Sequence, residues 1–257
     1  ARAKQDVKTI VLPEGEDERI LKAAHLITAE KAAKVIILGD VESVKKHFAG
    51  HNWSLEDIEL VDPAKSANLE KYTKLLYELR KEKGMTEEEA AKTVLNPNYF
   101  GTLMIKAGDA DGMVSGANHS TADTVRPALQ IIKSAKKGAS VSSLLILVHN
   151  DKPYILADCA IIIDPTDKEM ADTALEAAKN AVKFGMEPKV AMLTFSTKGS
   201  GKGDQVDKVR RATEIALEAL KNDPDYNGLN IKLDGELQAD AALDAVVGAK
   251  KAPGSED

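Results

Sequence analysis

Short apolar runs rich in β-branched residues alternate with helical periods in the first part of the chain. The runs at 9–12, 35–38 and 58–61 are each four residues long and end at turn-forming residues, which is typical of buried strands. Between them, apolar residues recur at helical spacing over 16–29 and 41–48. This βαβαβ order predicts a parallel sheet with right-handed crossovers.

Capping signals and turns organise the rest of the chain. Thr86 with Glu89, and Thr166 with Glu169, match the capping box that opens helices, and 150–152 predicts the turn of an antiparallel hairpin. The further predicted helices cover 68–81, 86–95, 100–107, 121–133, 166–184, 204–221 and 239–250. The further predicted strands cover 112–116, 143–149, 153–156, 160–163, 189–194 and 229–233.

The 257 residues of the chain are enough for two domains of medium size. Residues 135–140 combine lysines with small residues and indicate a hinge. The predicted hairpin follows directly after this segment. We therefore predict an α/β protein with a first domain over 1–138 and a second domain over 139–257.

The net charge of −6, from 35 Lys and Arg against 41 Asp and Glu, argues against a nucleic-acid binder, whose binding face is usually strongly basic. An anionic ligand would therefore need a locally basic pocket. The apolar runs are too short to span a bilayer. Cys159 is the single cysteine and residues 1–5 contain no apolar signal segment, so we expect a cytoplasmic protein without membrane contact.

The glycine-rich loop at 196–203 lies between a predicted strand and a predicted helix. Its glycines would let several backbone N–H groups point at one anion beside a helix N-terminus, as in a phosphate cradle. It is not a Walker A loop, because Gly203 rather than Ser or Thr follows Lys202. A flexible surface connection explains the same residues equally well.

The loop at 115–120 follows a predicted strand and offers hydroxyls, an amide and the imidazole of His119. Ligands bind at the carboxyl ends of strands in parallel sheets. Arg126, in the next predicted helix, suits bidentate contact with a phosphate or carboxylate. On spacing alone, a weak surface ion pair is the usual role of a lone arginine such as Arg126, and a lone loop histidine such as His119 is more often hydrogen-bonded than catalytic.

Two charged segments have simpler explanations. Residues 77–84 are typical of a solvated helix C-terminus. The carboxylates at 234–240 would serve a metal or a base, or would cap the following helix. The five histidines are scattered and no Cys/His ligand spacing is present, so no metal site is predicted.

Six ordered segments together resemble the phosphate acetyltransferases, within the wider phosphate acetyl/butyryltransferase family. Each segment is a weak signal alone, and six in register along nearly the whole chain are specific. The segments are 12–19 (LPEGEDER), 77–80 (YELR), 111–116 (DGMVSG), 124–127 (TVRP), 195–200 (FSTKGS) and 234–238 (DGELQ).

The resemblance implies reversible acetyl transfer between acetyl phosphate and coenzyme A, without a metal or a covalent acyl-enzyme. Coenzyme A would be a substrate, and no cofactor would be bound permanently. The family fold has two doubly wound α/β domains with a cleft between them, like isocitrate and isopropylmalate dehydrogenases, and is usually a homodimer. These properties are expectations for this chain.

The family pattern also implies the site residues. Arg126 corresponds to an arginine of the active-site cleft, and we expect it to be catalytic. The residues expected to bind substrate are Arg80, Ser115, Gly116, His119, Ser196, Thr197 and Lys198. Arginines would neutralise the leaving phosphate, and amide donors would stabilise the oxyanion.

In the family the chain continues beyond the segment that corresponds to 252–255, and the continuation carries a serine–arginine pair and the aspartate proposed as the base. We therefore expect the second domain to be incomplete and acetyl transfer by these 257 residues to be weak or absent. The alternative is a non-catalytic domain of the same fold that senses acetyl-CoA or a related anion. A decarboxylating dehydrogenase is disfavoured, because no NAD-binding fingerprint and no trio of metal-binding aspartates is visible.

Overall fold

The computed structural model describes residues 2–134 and 141–255. The chain divides into two compact units, Ala1–Lys133 and Ser134–Asp257. The predicted hinge at 135–140 lies outside the described residues, so the predicted domain boundary at 138 stays a prediction.

The first unit contains a four-stranded sheet in which every pairing is parallel. Its strands are β1 (Thr9–Leu12), β2 (Lys34–Leu38), β3 (Ile58–Val61) and β4 (Gly112–Met113). The spatial order is β3-β2-β1-β4. The parallel sheet predicted from the βαβαβ pattern is confirmed.

Helices connect these strands and follow them. They are α1 (Glu18–Ala29), α2 (Val41–Gly50), α3 (Leu69–Arg80), α4 (Glu87–Thr93), α5 (Pro97–Ala107) and α6 (Thr121–Pro127). The capping box at Thr86 is present. The α5 helix begins three residues earlier than predicted, because the Asn96 side chain caps it. The α6 helix ends before 133, since Pro127 has no N–H for the helical ladder, and a π-helical turn follows at Ala128–Ile132.

Alternate residues of the central strands face opposite sides of the sheet, and helices cover both sides. One face packs Val11, Ile36 and Leu38 against α3, α4 and α5, with Tyr72, Leu76, Phe100 and Leu103 fully buried. The other face packs Leu12, Val35 and Ile37 against α1 and α2, with Leu21, Val44 and Phe48 buried. Each such large apolar side chain contributes about 1.5–3 kcal/mol when buried. The first unit is therefore doubly wound.

The second unit opens with the predicted antiparallel hairpin, β5 (Leu144–His149) and β6 (Lys152–Ala157). Asn150 and Asp151 form its two-residue turn with φ of 49° and 60°, as a type I′ turn requires. The strand predicted at 160–163 is wrong. The Asp158 carboxylate accepts hydrogen bonds from the backbone N–H groups of Ala160 (2.8 Å) and Ile161 (2.9 Å), which turns them away from any strand partner.

A separate two-stranded parallel sheet joins β7 (Lys189–Leu193) to β8 (Lys232–Leu237). The helices α7 (Asp167–Lys183) and α8 (Asp204–Asn222) pack together against it. The predicted strand at 229–233 is displaced, because Leu229 closes a turn and Asn230 has a left-handed φ of 48°. Asp234 and Glu236 therefore lie within a strand rather than after one.

The single helix predicted at 239–250 is two helices, α9 (Ala239–Leu243) and α10 (Ala245–Lys251), since Asp244 breaks the run and caps the second. Within 141–255 the second unit thus has two two-stranded sheets in place of the predicted doubly wound sheet. Among the described helices, none is long and apolar enough to cross a membrane.

The close approach at Gly15 gives a stability prediction. A Cβ on Gly15 would lie 2.5 Å from the Leu38 carbonyl oxygen, whereas a Cβ on Gly50 meets nothing within 4 Å. We expect Gly15→Ala to lower the free energy of unfolding by about 1–3 kcal/mol. Gly50→Ala should leave it unchanged or raise it by up to about 1 kcal/mol. Urea unfolding measures both, and equal midpoints for the two variants would contradict the prediction.

Candidate functional site

Two loops of the first unit meet at the carboxyl edge of its sheet. Glu14 follows β1, and the 115–120 loop follows β4, the neighbouring parallel strand. Because adjacent parallel strands end at the same edge, the two segments come together although about a hundred residues separate them. Brought to this edge, they form the first part of the candidate site.

The Glu14 carboxylate is fully buried and occupies the centre of the 115–120 loop. Its Oε2 accepts from the N–H groups of Gly116 (3.1 Å) and Ala117 (2.9 Å). Its Oε1 accepts from the N–H groups of Asn118 (2.9 Å) and His119 (3.1 Å). Burial alone would raise the pKa of Glu14, but the hydrogen bonds from the loop outweigh it and hold the pKa below its usual value. The loop amides therefore bind an internal anion.

The His119 ring contacts the same carboxylate. Its Nδ1 lies 2.8 Å from Oε1 of Glu14, and its side chain is 22% exposed. An ionised carboxylate only accepts hydrogen bonds, so Nδ1 is the nitrogen that donates to Glu14. The structure gives Nε2 no hydrogen-bond partner in 2–134 or 141–255.

A buried amide lies behind the loop. The Ser115 hydroxyl donates to Oδ1 of Asn98 (2.6 Å) and lies 3.5 Å from the Thr124 hydroxyl. Asn98 is fully buried, and its Nδ2 has no hydrogen-bond partner among the described residues. The sequence analysis missed Asn98, because a residue in the first turn of a helix carries no local signal of a long-range contact.

The two predicted arginines of the first unit differ in exposure. Nε of Arg80 is buried without a partner among the described residues, whereas Arg126 is exposed. Tyr99 lies at the start of α5 next to Asn98, and its hydroxyl donates to Gln130 (2.8 Å). Burial raises the pKa of Tyr99, and the positive charges of Arg126 and Arg80 oppose that rise. Sequence reasoning missed Tyr99.

The second predicted loop folds onto β8. The buried Ser196 hydroxyl donates to Glu236 (3.0 Å), and the Thr197 hydroxyl accepts from the Gln238 N–H (2.9 Å). Lys198 pairs with the Asp234 carboxylate and donates to the Gly235 carbonyl (3.0 Å). All three predicted binding residues of this loop therefore contact the segment at 234–238.

Glu236 is 3% exposed and contacts the glycine-rich loop. Its carboxylate accepts from the Gly199 N–H (2.7 Å) and from Nε (2.9 Å) and Nη2 (3.0 Å) of Arg210. The Arg210 hydrogen bonds lower the pKa of Glu236 to about 2 against the effect of burial. Arg210 was missed by sequence reasoning, because only its helical spacing is visible there.

The eight predicted site residues thus form two groups, one in each unit. Arg80, Ser115, Gly116, His119 and Arg126 belong to the first, and Ser196, Thr197 and Lys198 to the second. The convergence of both groups on one ligand stays a prediction. Over 2–134 and 141–255, no group of three or more His, Cys, Asp or Glu side chains is placed to hold a metal ion.

Comparison with known proteins gives consistent matches. The sequence model of the phosphate acetyl/butaryl transferase family matches residues 1–256. A phosphate acetyltransferase of Helicobacter pylori is 42% identical over 99% of this chain and 48% of its own length. A phosphate acetyltransferase of Clostridium acetobutylicum is 46% identical over 98% of this chain and 76% of its own length. The solved structure of EutD phosphotransacetylase from Staphylococcus aureus superposes with a TM-score of 0.87 at 44% identity, covering 99% of this chain and 77% of that one.

A mixed α/β fold with a parallel sheet defines the class of α/β proteins, which bind their ligands at the carboxyl ends of the strands. Within that class, the chain belongs to the phosphate acetyl/butaryl transferase family. It spans about half the length of the Helicobacter relative and about three quarters of the Clostridium relative.

The Glu236–Arg210 pair gives a pH-dependent prediction. Folding lowers the pKa of Glu236 from 4.5 to about 2. The pair therefore stabilises the folded protein fully above pH 4.5, and this stabilisation is lost as the pH falls toward 2. Glu236→Gln should lower the free energy of unfolding at neutral pH by about 1–3 kcal/mol, and this deficit should shrink in acid. Urea unfolding at several pH values measures it.

Asp207→Asn is the matched control, since Asp207 contacts the same arginine (3.0 Å) from a half-exposed position. This exposed pair should contribute less than about 1 kcal/mol. Equal losses for the two variants, or a Glu236→Gln deficit that persists unchanged in acid, would contradict the assignment.

Proposed function

We propose that this protein moves an acetyl group between acetyl phosphate and coenzyme A. The observation that carries the proposal is the position of Arg126, which is exposed on α6, the helix that begins directly after the 115–120 loop at the carboxyl edge of the parallel sheet. Both substrates are polyanions, and an arginine at the edge of a parallel sheet suits phosphate groups. The relatives named phosphate acetyltransferase support the same reaction.

The chemistry sets three requirements. The thiol of coenzyme A, with a pKa of about 8.5, loses its proton to attack the carbonyl. The tetrahedral oxyanion needs donors, and the leaving phosphate needs positive charge. Arg126 is exposed and would meet the transferring phosphate as the catalytic residue, while the partly buried Arg80 would bind substrate from the side.

The remaining predicted residues would bind substrate. Ser115 offers its hydroxyl, and Gly116 and His119 lie on the loop that Glu14 holds. In the second unit, Lys198 would exchange Asp234 for a substrate phosphate, and Ser196 and Thr197 would shape the loop around it.

We further propose a cytoplasmic homodimer that takes coenzyme A as a substrate and keeps no cofactor permanently bound. The β5–β6 hairpin supports self-association, because it leaves Leu145, Leu147 and Val148 more than half exposed. An unpaired apolar surface of this kind is typical of interfaces between protein copies. The single cysteine agrees with a reducing compartment.

Calorimetric titration with coenzyme A, followed by an assay of acetyl-CoA formation from acetyl phosphate, tests the proposed function. We expect saturable binding of coenzyme A, and acetyl-CoA formation that depends on both substrates. Absence of binding would overturn the proposal. Binding that persists without any turnover, in this chain and in the chain extended to the length of its relatives, would favour a sensing domain instead.

Arg126→Gln tests the assignment of the exposed arginine. Removing charge-assisted hydrogen bonds to a phosphate costs about 1.5–3 kcal/mol, which corresponds to about a 10- to 150-fold rise in the Kd for coenzyme A. Arg211→Gln is the control, because Arg211 is also exposed and pairs at the surface with Asp167 (2.5 Å). Calorimetry on both variants measures the change, and equal affinities would remove Arg126 from the site.

A further inference from the structure

Three histidine rings and one indole form a cluster on the first unit. His47 stacks on His51 with ring centroids 4.5 Å apart, and His51 stacks on Trp53 at 4.6 Å. His25 of α1 stacks on the same indole at 4.9 Å. None of these rings takes part in the proposed reaction.

Two of these histidines lie one helical turn apart at the end of α2. His47 is in the last turn of the helix, and His51 is the residue at which the helix ends. Side chains four residues apart lie on the same face of a helix, and two histidines at this spacing bind zinc in other proteins. The last carbonyl groups of a helix carry partial negative charge, which favours a cation at this end.

A backbone hydrogen bond orients one of the two rings. Nδ1 of His51 lies 3.0 Å from the His47 carbonyl oxygen. A carbonyl oxygen only accepts hydrogen bonds, so Nδ1 is the nitrogen that donates. Histidines that bind metals usually donate their other ring N–H to a carbonyl or carboxylate in the same way. His51 is exposed, and its Nε2 has no hydrogen-bond partner over 2–134 and 141–255.

The spacing of the two rings suits a shared ion. Zinc binds an imidazole nitrogen at about 2.0–2.1 Å, so two rings that share an ion have centroids about 4.5–5 Å apart. The observed separation is 4.5 Å, with the ring planes inclined by 30°. A rotation of the His47 side chain aims a nitrogen at the ion. This rotation breaks no hydrogen bond, because the His47 ring has none among the described residues.

The cavity beside the pair offers nitrogen ligands rather than carboxylates. Its volume is about 350 Å³, and it is lined by Ser43, Lys46, His47, Gly50 and His51. No carboxylate is among these lining residues, which disfavours Mg²⁺ and Ca²⁺, since those ions prefer oxygen ligands. Imidazole instead suits Ni²⁺, Cu²⁺ and Zn²⁺. The Lys46 ammonium opposes any cation here, so coordination by both rings must outweigh that repulsion.

The pair lies at the edge of the sheet opposite to the 115–120 loop. The strands β2 and β3 are parallel neighbours, and α2 connects them. A helix that connects two parallel strands runs back against their direction, so its last turn lies at their amino ends. The 115–120 loop follows the carboxyl end of β4. A metal ion at the end of α2 would therefore lie away from the candidate active site.

We propose that His47 and His51 form a surface site for one divalent transition-metal ion such as Ni²⁺ or Zn²⁺. The site is separate from the proposed function and does not depend on it. It departs from the sequence analysis, which took the five histidines as scattered and predicted no metal site. His25 is not a ligand of this site, because no group of three or more His, Cys, Asp or Glu side chains over 2–134 and 141–255 is placed to hold a metal.

Titration with Ni²⁺ at pH 8, followed by tryptophan fluorescence, tests the proposal. Protons compete weakly for imidazole nitrogen at this pH. Trp53 is the single tryptophan of the chain, and its ring lies 4.6 Å from that of His51. A paramagnetic ion bound to His51 quenches the indole at this distance. We expect saturable quenching that excess Zn²⁺ reverses and that excess Mg²⁺ does not.

Three variants make the result specific. His47→Gln and His51→Gln each remove one ligand, and each should raise the Kd for Ni²⁺ more than about tenfold, since even an outer-shell partner of a metal ligand contributes about 10- to 100-fold. His25→Gln is the matched control, because His25 stacks on the same indole but lies on α1. Its substitution should leave the Kd for Ni²⁺ within about threefold.

Urea unfolding with and without Zn²⁺ separates loss of a ligand from damage to the fold. An ion that binds only the folded protein stabilises it, so Zn²⁺ should raise the unfolding midpoint of the unmodified protein and of His25→Gln. It should leave the midpoints of His47→Gln and His51→Gln unchanged. Absence of saturable quenching in the unmodified protein would overturn the proposal. Quenching and stabilisation that survive either substitution in the pair, or a loss that His25→Gln shares, would overturn it as well.

Discussion

A carboxylate removed from water must find donors for its lone pairs, and Glu14 finds them in four consecutive amides and one imidazole. This contact joins the end of β1 to the loop after β4, two segments about a hundred residues apart. It fixes the backbone of Gly116 through His119 and the tautomer of the His119 ring. The placement of Ser115, which immediately precedes these residues, depends on it as well.

The second unit also contains a buried carboxylate, whose main donor is a side chain. Glu236 is nearly as buried as Glu14, but it receives a guanidinium from Arg210 in place of a run of amides. The glycine-rich loop that resembles a phosphate cradle is therefore built around an internal anion. The four amides that meet Glu14 and the Gly199 amide that meets Glu236 are thus already occupied by internal carboxylates.

The fold was predictable wherever the local pattern determined the structure. Four-residue apolar runs identified β1 and β3, and capping boxes identified the starts of α4 and α7. The strand predicted at 160–163 was wrong, because the Asp158 carboxylate accepts hydrogen bonds from the backbone amides of Ala160 and Ile161. The apolar pattern of the segment gives no sign of these hydrogen bonds. The strand predicted from 229 begins only at Lys232, because Asn230 has a left-handed backbone conformation. The apolar residues around Asn230 give no sign of this conformation.

The candidate site was predictable only in part. The glycine-rich and polar segments predicted both loops as candidate ligand sites, and the family resemblance predicted Arg80 and Arg126 as site residues. The carboxylates that organise those loops were not predicted in that role, because Glu14 and its amides are far apart in sequence. Asn98 and Tyr99 were missed for a similar reason, since their side-chain hydrogen bonds are made with Ser115 and Gln130 of later segments.

Amide hydrogen exchange of Gly116 through His119 tests the central claim most directly. Gly116 and Asn118 are exposed residues, so slow exchange there would come from their hydrogen bonds to Glu14 and not from burial of the loop. The account predicts exchange at least about 100-fold slower than at the exposed Lys202 and Gly203. Exchange as fast as at those two residues would contradict it.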